Sequence, residues 1–252
     1  MQIEQINSYE FDERFYVRIV DGIRVYQPSV THILHCVYPM DFGLIQWRGD
    51  VGNKRADEIL EETSEDGVFV HDSIEKILKG LEISGELISQ RFSPKRSLKI
   101  KRCLKSFLDW AEEHKPTIIL TESTVWSDEH KCAGTVDLIC EIRKEKYLID
   151  FKTSKTLHDS HKAQVCAYGL AAHPTVDHVA LLHLGNTTKK RYSFKILDED
   201  ERVKFTKIFY DANRLFQTIY PDAHPNSETF PEIFSLKKEE ASNESNIKIA
   251  NG

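Results

Sequence analysis

The chain has 252 residues, 40% hydrophobic and 29% charged, which is the balance of a folded globular protein with a substantial core in one large domain or two small ones. No apolar run approaches the roughly 20 residues of a membrane helix, and the acidic, polar start "MQIEQINSYEFDERF" has neither signal-peptide nor transit-peptide character, so an intracellular, membrane-free location is expected. The net charge of −6 excludes a global attraction to nucleic acid, leaving a local basic patch or metal ions as the means of holding such a partner.

In chain order, "RFYVRIV" and "IRVYQ" flank Asp21-Gly22 and predict a tight hairpin. "PSVTHILHCVYP" predicts a short helix capped by Ser29 or Thr31 and closed by Pro39. A helical pattern covers 42–79, with an interruption expected around "TSEDG", where Gly67 punctuates the entry to "VFVHDSIEKIL". A further helix is expected over 98–114, with Leu104, Phe107, Leu108 and Ala111 at helical spacing and Pro116 ending it. The period then changes. "TIILTESTVWS", "CAGTVDLICEI" and "KYLIDFKTS" read as three strands, followed by a helix over 159–172, strands in "HVALLHLG" and "RYSFKIL", and a closing amphipathic helix over 198–220. The expected fold is α/β or α+β, a mixed sheet flanked by helices after an N-terminal hairpin. The expected organisation is one domain over 1–235, with a hairpin and helical part over 1–115, a sheet core over 116–220, and a disordered tail over 236–252.

Five cysteines, Cys36, Cys103, Cys132, Cys140 and Cys166, are odd in number and form no C-x-x-C pair, which speaks against a disulfide framework and a zinc site. They read as reduced and mostly buried.

Chemistry concentrates in "YLIDFKTSK". Asp150 and Lys152 lie two apart at the exit of an apolar strand, so both point the same way. Asp137 interrupts the preceding apolar strand, with Gly134 leaving room nearby, and antiparallel pairing of the two strands brings Asp137 toward Asp150. Two close carboxylates repel unless a cation sits between them, and a hard divalent ion with oxygen ligands is the common solution. Gln164 and Tyr168, four apart, share a helix face above this exit and suit phosphate or base contacts. His71 shares a face with Ile74 and Leu78 and points to the body of the protein. Glu122 either completes the acidic cluster or pairs with a basic side chain. Lys95, Arg96, Lys99, Arg102 and Lys105 form a basic stripe opposite Leu104, Phe107 and Leu108, suited to tracking a DNA backbone.

The ordered set Gly67-x-x-x-His71, Gly134-x-x-Asp137, Asp150-x-Lys152 and Gln164-x-x-x-Tyr168, spanning residues 67–168, resembles the RecB-type branch of the PD-(D/E)XK nuclease superfamily. "QPSVTHIL" also resembles the entry of the mitochondrial genome maintenance exonucleases and related phage or bacterial exonucleases. The resemblance implies a restriction-endonuclease-like core. It implies that His71, Asp137 and Asp150 bind Mg2+ or Mn2+, with the Phe151 backbone carbonyl and Glu122 as further candidate ligands. Lys152 would orient or deprotonate the attacking water, and Gln164 and Tyr168 would position the strand. The substrate would be DNA, single-stranded or at its ends, with a replication or recombination protein as a further candidate partner. The helix carrying the basic stripe and the helical stretch before it are expected to arch over the site. The proline that names the superfamily is Val136 here. No iron-sulfur cluster of the RecB type is expected, because the last cysteine is Cys166. Two rival readings are a His-Asp metal phosphohydrolase built on His71-Asp72, which requires an all-helical fold, and a non-catalytic nucleic-acid-binding subunit.

Overall fold

The computed structural model describes residues 3–8, 13–39, 42–185 and 191–225. The tail over 236–252 lies outside them.

Strands β1 (Ile3–Ser8), β2 (Glu13–Val20) and β3 (Ile23–Pro28) form an antiparallel sheet in that order. The β2–β3 turn places Asp21 at φ 51° and Gly22 at φ 80°. Positive φ at both central residues matches the twist of a two-residue hairpin, and Asp-Gly adopts it at low cost. Helix α1 (Val30–Val37) is capped by Ser29, whose Oγ accepts the His32 N–H at 3.0 Å. Of the two predicted caps, Thr31 is therefore free for another role.

The helical stretch breaks elsewhere than expected. Helix α2 (Phe42–Val51) ends at Gly52, at φ 82°, and helix α3 (Asn53–Leu78) runs unbroken through 63–67. A helical glycine costs about 1 kcal/mol relative to alanine. Two tertiary features offset that cost. Val70 and Ile74 beyond it are buried, and Asp66 is clamped by Arg96 and Lys99 of helix α5 (Pro94–His114). Gly67 faces Thr153, whose Oγ1 would lie 3.3 Å from an added Cβ.

Helix α4 (Gly85–Arg91), capped by Ser84, was not foreseen, and α5 starts at Pro94 rather than at 98. Proline suits a first helical position because its missing N–H has no partner to lose there.

The main sheet has the order β4 (Thr117–Ser127), β5 (Cys132–Ile142), β6 (Glu145–Lys152), β7 (His178–Leu184), β8 (Tyr192–Ile196). The first three strands form an antiparallel meander. Helix α6 (Asp159–Ala171) crosses over to β7, which lies parallel to β6, and β8 returns antiparallel. Helix α7 (Glu199–Ile219) closes the described chain, entered through a capping box of Asp198 and Glu201. The fold is thus mixed α+β.

Each face of the sheet carries its own core. On one face, Ile33 of α1, Val165 of α6 and Phe209 of α7 pack with Val136, Leu148 and Leu181. On the other, Ile74 of α3, Ile88 of α4 and Phe107 and Trp110 of α5 pack with Leu138, Ile149, Phe151 and Leu182. Helix α5 is therefore a structural layer on this face of the sheet. Its apolar face uses Ile100, Cys103, Leu104, Phe107 and Trp110, whereas Leu108 is 46% exposed. Three-residue and four-residue steps from Ile100 generate this face and leave Leu108 beside it. Cys103, Cys132, Cys140 and Cys166 are buried thiols and Cys36 is exposed. Among the described residues, no helix is long and apolar enough to cross a membrane.

Candidate functional site

The site forms where the meander comes apart. β5 and β6 pair from Ile142↔Glu145 to Leu138↔Ile149 and then stop. The next rung would place Asp137 opposite Asp150. Instead Asp137 Oδ2 accepts the Phe151 N–H at 2.5 Å, so a side chain takes the bond that strand backbone would otherwise take. An N–H and C=O of one strand residue point to the same side, so the Phe151 carbonyl also faces this gap.

The β4–β5 ladder is interrupted at the same level. Thr121 pairs with Leu138 and Ser123 with Val136, while Glu122, between them, sits at φ 46°. A left-handed glutamate costs on the order of 1 kcal/mol and persists only where its surroundings require it. β5 changes its alternation here too, since Val136 belongs to the α1/α6/α7 core and Leu138, two residues on, to the α3/α4/α5 core. These irregularities converge on one point. One ligand atom each from His71, Glu122 and Asp137 lies within 4.8 Å of the others. His71, delivered by α3, has Nδ1 3.1 Å from Asp137 Oδ1. Glu122 therefore joins the acidic cluster beside His71, and no Lys or Arg pairs with it among the described residues.

Asp150 lies outside that trio and is held by Lys152, whose Nζ is 2.5 Å from Asp150 Oδ2. The approach is a close ion pair, and among the described residues this buried Oδ2 has no well-aligned hydrogen bond. Lys152 also donates to Gln164 Oε1 at 3.1 Å. Gln164 Nε2 in turn donates to the Tyr168 hydroxyl at 2.9 Å and to Thr31 Oγ1 at 3.3 Å. Tyr168 is 4% exposed, so it holds Gln164 in place and offers no surface to a ligand. Gly134 makes this possible, because an added Cβ would stand 2.3 Å from Tyr168 Cε1.

Electrostatics follow from burial and mutual repulsion. Burial, then the Asp137 charge, pushes the Glu122 carboxyl up to about 7. Burial also raises Asp150, to about 6, against the pull of Lys152. Burial would raise Asp137 as well, but the charge and hydrogen bond of His71, with Lys152 and the Phe151 N–H, hold it below the usual carboxylate value. Burial disfavours the charged form of His71, and Asp137 more than offsets this, raising it. His71, Glu122 and Asp137 together offer one nitrogen and two carboxylate ligand atoms that could hold a divalent cation.

The trio's His71 opens on a cleft of about 410 Å3 whose walls include Leu60 and Ser64 of α3, Lys152, Thr153 and His161. His161 was missed from the sequence, although its position three residues before Gln164 places it on a neighbouring helix face.

The basic stripe is divided by the fold. Arg96 Nε donates to Asp66 Oδ1 at 2.7 Å and its Nη2 to Glu65 Oε2 at 2.7 Å, and Lys99 Nζ lies 3.4 Å from Asp66 Oδ2. These two cations bind α5 to α3, because Asp66 is buried and needs them, and so they leave the DNA-tracking set. Lys105 pairs with Asp109 one turn on. Lys95 and Arg102 are exposed and have no ion pair among the described residues. Arg102 and Lys105, with Lys101 and Arg191, border a second hollow of about 590 Å3, which is larger than the cleft but is lined by neither His71 nor Lys152.

No family model matches the sequence, and no curated protein matches it. Among solved structures 15 chains match. One, described as "Crystal structure of SSO0001", is 17% identical, covering 64% of this chain and 89% of that chain with a TM-score of 0.30, a likeness too low to bear on fold or function.

Proposed function

We propose that the protein is a Mg2+- or Mn2+-dependent deoxyribonuclease similar to the RecB-type PD-(D/E)XK nucleases, acting as an exonuclease on single strands or DNA ends in replication, recombination or repair. The observation that carries this reading is the convergence of Asp137, Asp150 and Lys152 at the splayed ends of β5 and β6, with His71 and Glu122 beside them. The element order supports it as well, with an antiparallel meander, a crossover helix and a strand parallel to the third.

The donor set fits a divalent ion. Glu122 and Asp150 are carboxylates held at raised proton affinity by burial, and Asp150 Oδ2 is a buried acceptor facing the Lys152 ammonium with no well-aligned hydrogen bond among the described residues. His71, Glu122, Asp137 and Asp150, with the Phe151 carbonyl, would hold the ion. When bound, it supplies Lewis-acid polarisation of the phosphate and a water of lowered pKa.

The chain's own groups do the rest. Lys152 is fixed from two sides, by Asp150 and Gln164, so its ammonium sits at a defined point beside the acids. There it neutralises charge gathering on the phosphate and orients the attacking water, and such fixed groups act without reorganising during reaction. Asp137 positions the strand end through Phe151, and Tyr168 with Thr31 fixes the amide orientation of Gln164.

The His-Asp phosphohydrolase is disfavoured. A mixed sheet stands where that family needs helices, and Asp72 is exposed and outside the trio. A purely binding module is disfavoured by the intact acids and lysine.

The test is digestion of end-labelled single-stranded and duplex DNA with Mg2+, Mn2+ or EDTA, comparing the wild type with Lys152→Ala. Metal-dependent shortening from an end, lost in the variant, supports the reading. No cleavage by the wild type under any metal rejects it in favour of a binding subunit.

A further inference from the structure

Besides His71 and Lys152, the cleft is lined by one histidine to which the mechanism above gives no part. His161 stands in the first turn of α6, on the wall of the cleft shared with Lys152 and Thr153. The backbone N–H of His158 donates to its Nδ1 at 3.2 Å, within a reciprocal capping box. A main-chain N–H can only donate, so Nδ1 must be the unprotonated nitrogen. The ring proton is therefore on Nε2, which has no hydrogen-bond partner among the described residues.

The ring is kept neutral in that tautomer. Burial, then Lys152, His158 and His183, lowers its pKa to about 3. The neighbouring loop is also held, since His183 Nε2 donates to the Ser154 carbonyl at 2.6 Å. A rigid, neutral N–H donor thus faces the cleft next to a fixed ammonium. Both groups offer protons and neither accepts, which selects for an anionic oxygen-rich ligand.

We infer that His161 is a phosphate-contacting residue, whose Nε2–H bonds a non-bridging oxygen of the bound DNA backbone next to the phosphate under attack at Lys152. This inference rests on the proposed nuclease reading and adds to it a residue set by this chain's own α6 cap. His161 would act as a donor and would transfer no proton.

Two substitutions separate contact from capping. Glutamine and glutamate are both ordinary third residues of a capping box, so each preserves the bond to the His158 N–H. Only glutamine carries an N–H donor. Binding of a fluorescent single-stranded oligonucleotide in Ca2+, digestion kinetics in Mg2+ and thermal melting would be measured for wild type, His161→Gln and His161→Glu. His161→Gln is expected to stay near wild type. His161→Glu is expected to bind the oligonucleotide at least about tenfold more weakly, with KM rising more than kcat falls, since it loses the donor and adds a charge that repels phosphate, while the neutral His161→Ser isolates loss of the hydrogen bond to a charged oxygen. His161→Ser, a capping residue too short to reach the ligand, should show a similar loss and serves if the glutamate variant folds poorly. Unchanged oligonucleotide affinity in both His161→Glu and His161→Ser, or an equal loss in His161→Gln, overturns the inference. A wild type that neither binds nor cuts DNA overturns the nuclease reading itself, and the two failures are thereby distinct.

Discussion

Asp137 accepts the backbone N–H of Phe151 through its side chain, at the rung where β5 and β6 cease to pair. One carboxylate thus ends a sheet ladder, holds His71 with its other oxygen and leaves the gap into which Asp150 and Lys152 project. This double use predicts that Asp137 is structural as well as chemical. Asp137→Ala leaves the Phe151 N–H unsatisfied in the interior and should cost about 1–3 kcal/mol, read as a lower Tm, whereas Asp137→Asn keeps an acceptor and should retain most of that stability. Both should lose DNA cleavage. An alanine variant as stable as the wild type would show that the Phe151 bond carries no stability.

Lys152→Ala should lower kcat by a factor of roughly 10² to 10⁴, in the range of a positioned group acting on proton transfer and charge. Its partner Asp150 would then be buried beside acids without its cation, so the metal-free variant should melt below the wild type at pH 8 and recover on adding Mn2+. Calorimetric scans with and without Mn2+ check both halves of this statement.

Glu122 gives a pH dependence with a definite sign. Its folded-state pKa of about 7 stands above the ordinary 4.5, so the folded protein holds a proton that the unfolded chain releases. Its contribution is fully present below pH 4.5 and is lost as the pH rises through 7. In EDTA, Glu122→Gln should melt like the wild type near pH 4.5 and above it at pH 8. With Mn2+ the order should reverse, because the amide is a poorer ligand. Melting curves that stay parallel across this range would refute the placement of Glu122 in the cluster.

Gly134→Ala should be among the more damaging single-methyl changes in the chain. The new Cβ would stand 2.3 Å from a buried tyrosine ring that is also hydrogen-bonded through Gln164. Overpacking of this kind costs about 1–3 kcal/mol. A second substitution, Tyr168→Leu, should restore part of the stability but not the activity, since Gln164 loses its anchor. Chemical denaturation of the single and double variants tests the coupling.

Arg96 and Arg102 lie six positions apart on one helix and should behave differently. Arg96→Ala removes three hydrogen bonds that bind α3 to α5, to Asp66, Glu65 and the Glu62 carbonyl, and should lower stability by about 1–3 kcal/mol, with DNA affinity affected only through the fold. Arg102→Ala should leave Tm within a degree or two and weaken DNA binding, with a shallower salt dependence. Equal stability losses, or no change in the salt slope, would contradict this division.

Residue patterning was sufficient for most elements. The hairpin at Asp21-Gly22, the meander, the crossover helix and the apolar exit carrying Asp150 and Lys152 all follow from local periodicity and turn chemistry, which act within a few residues and survive in any context. Antiparallel pairing of adjacent strands, and with it the approach of Asp137 to Asp150, needed only a short connection. Local rules failed where a distant contact outweighed them. "TSEDG" reads as a break, yet Arg96 and Lys99 hold Asp66 in an unbroken helix. The basic stripe looks uniform in sequence, but two of its cations are taken by that same buried acid. Glu122 joins His71 and Asp137 with its backbone in the left-handed region, and which nitrogen of His161 carries the ring proton is set by the helix N-cap, whose His158 N–H occupies Nδ1. Side-chain type and spacing determine which groups are available, while three-dimensional packing determines which of them are gathered at the splayed strand ends and which, like Arg96 and Lys99, are taken up in holding the fold together.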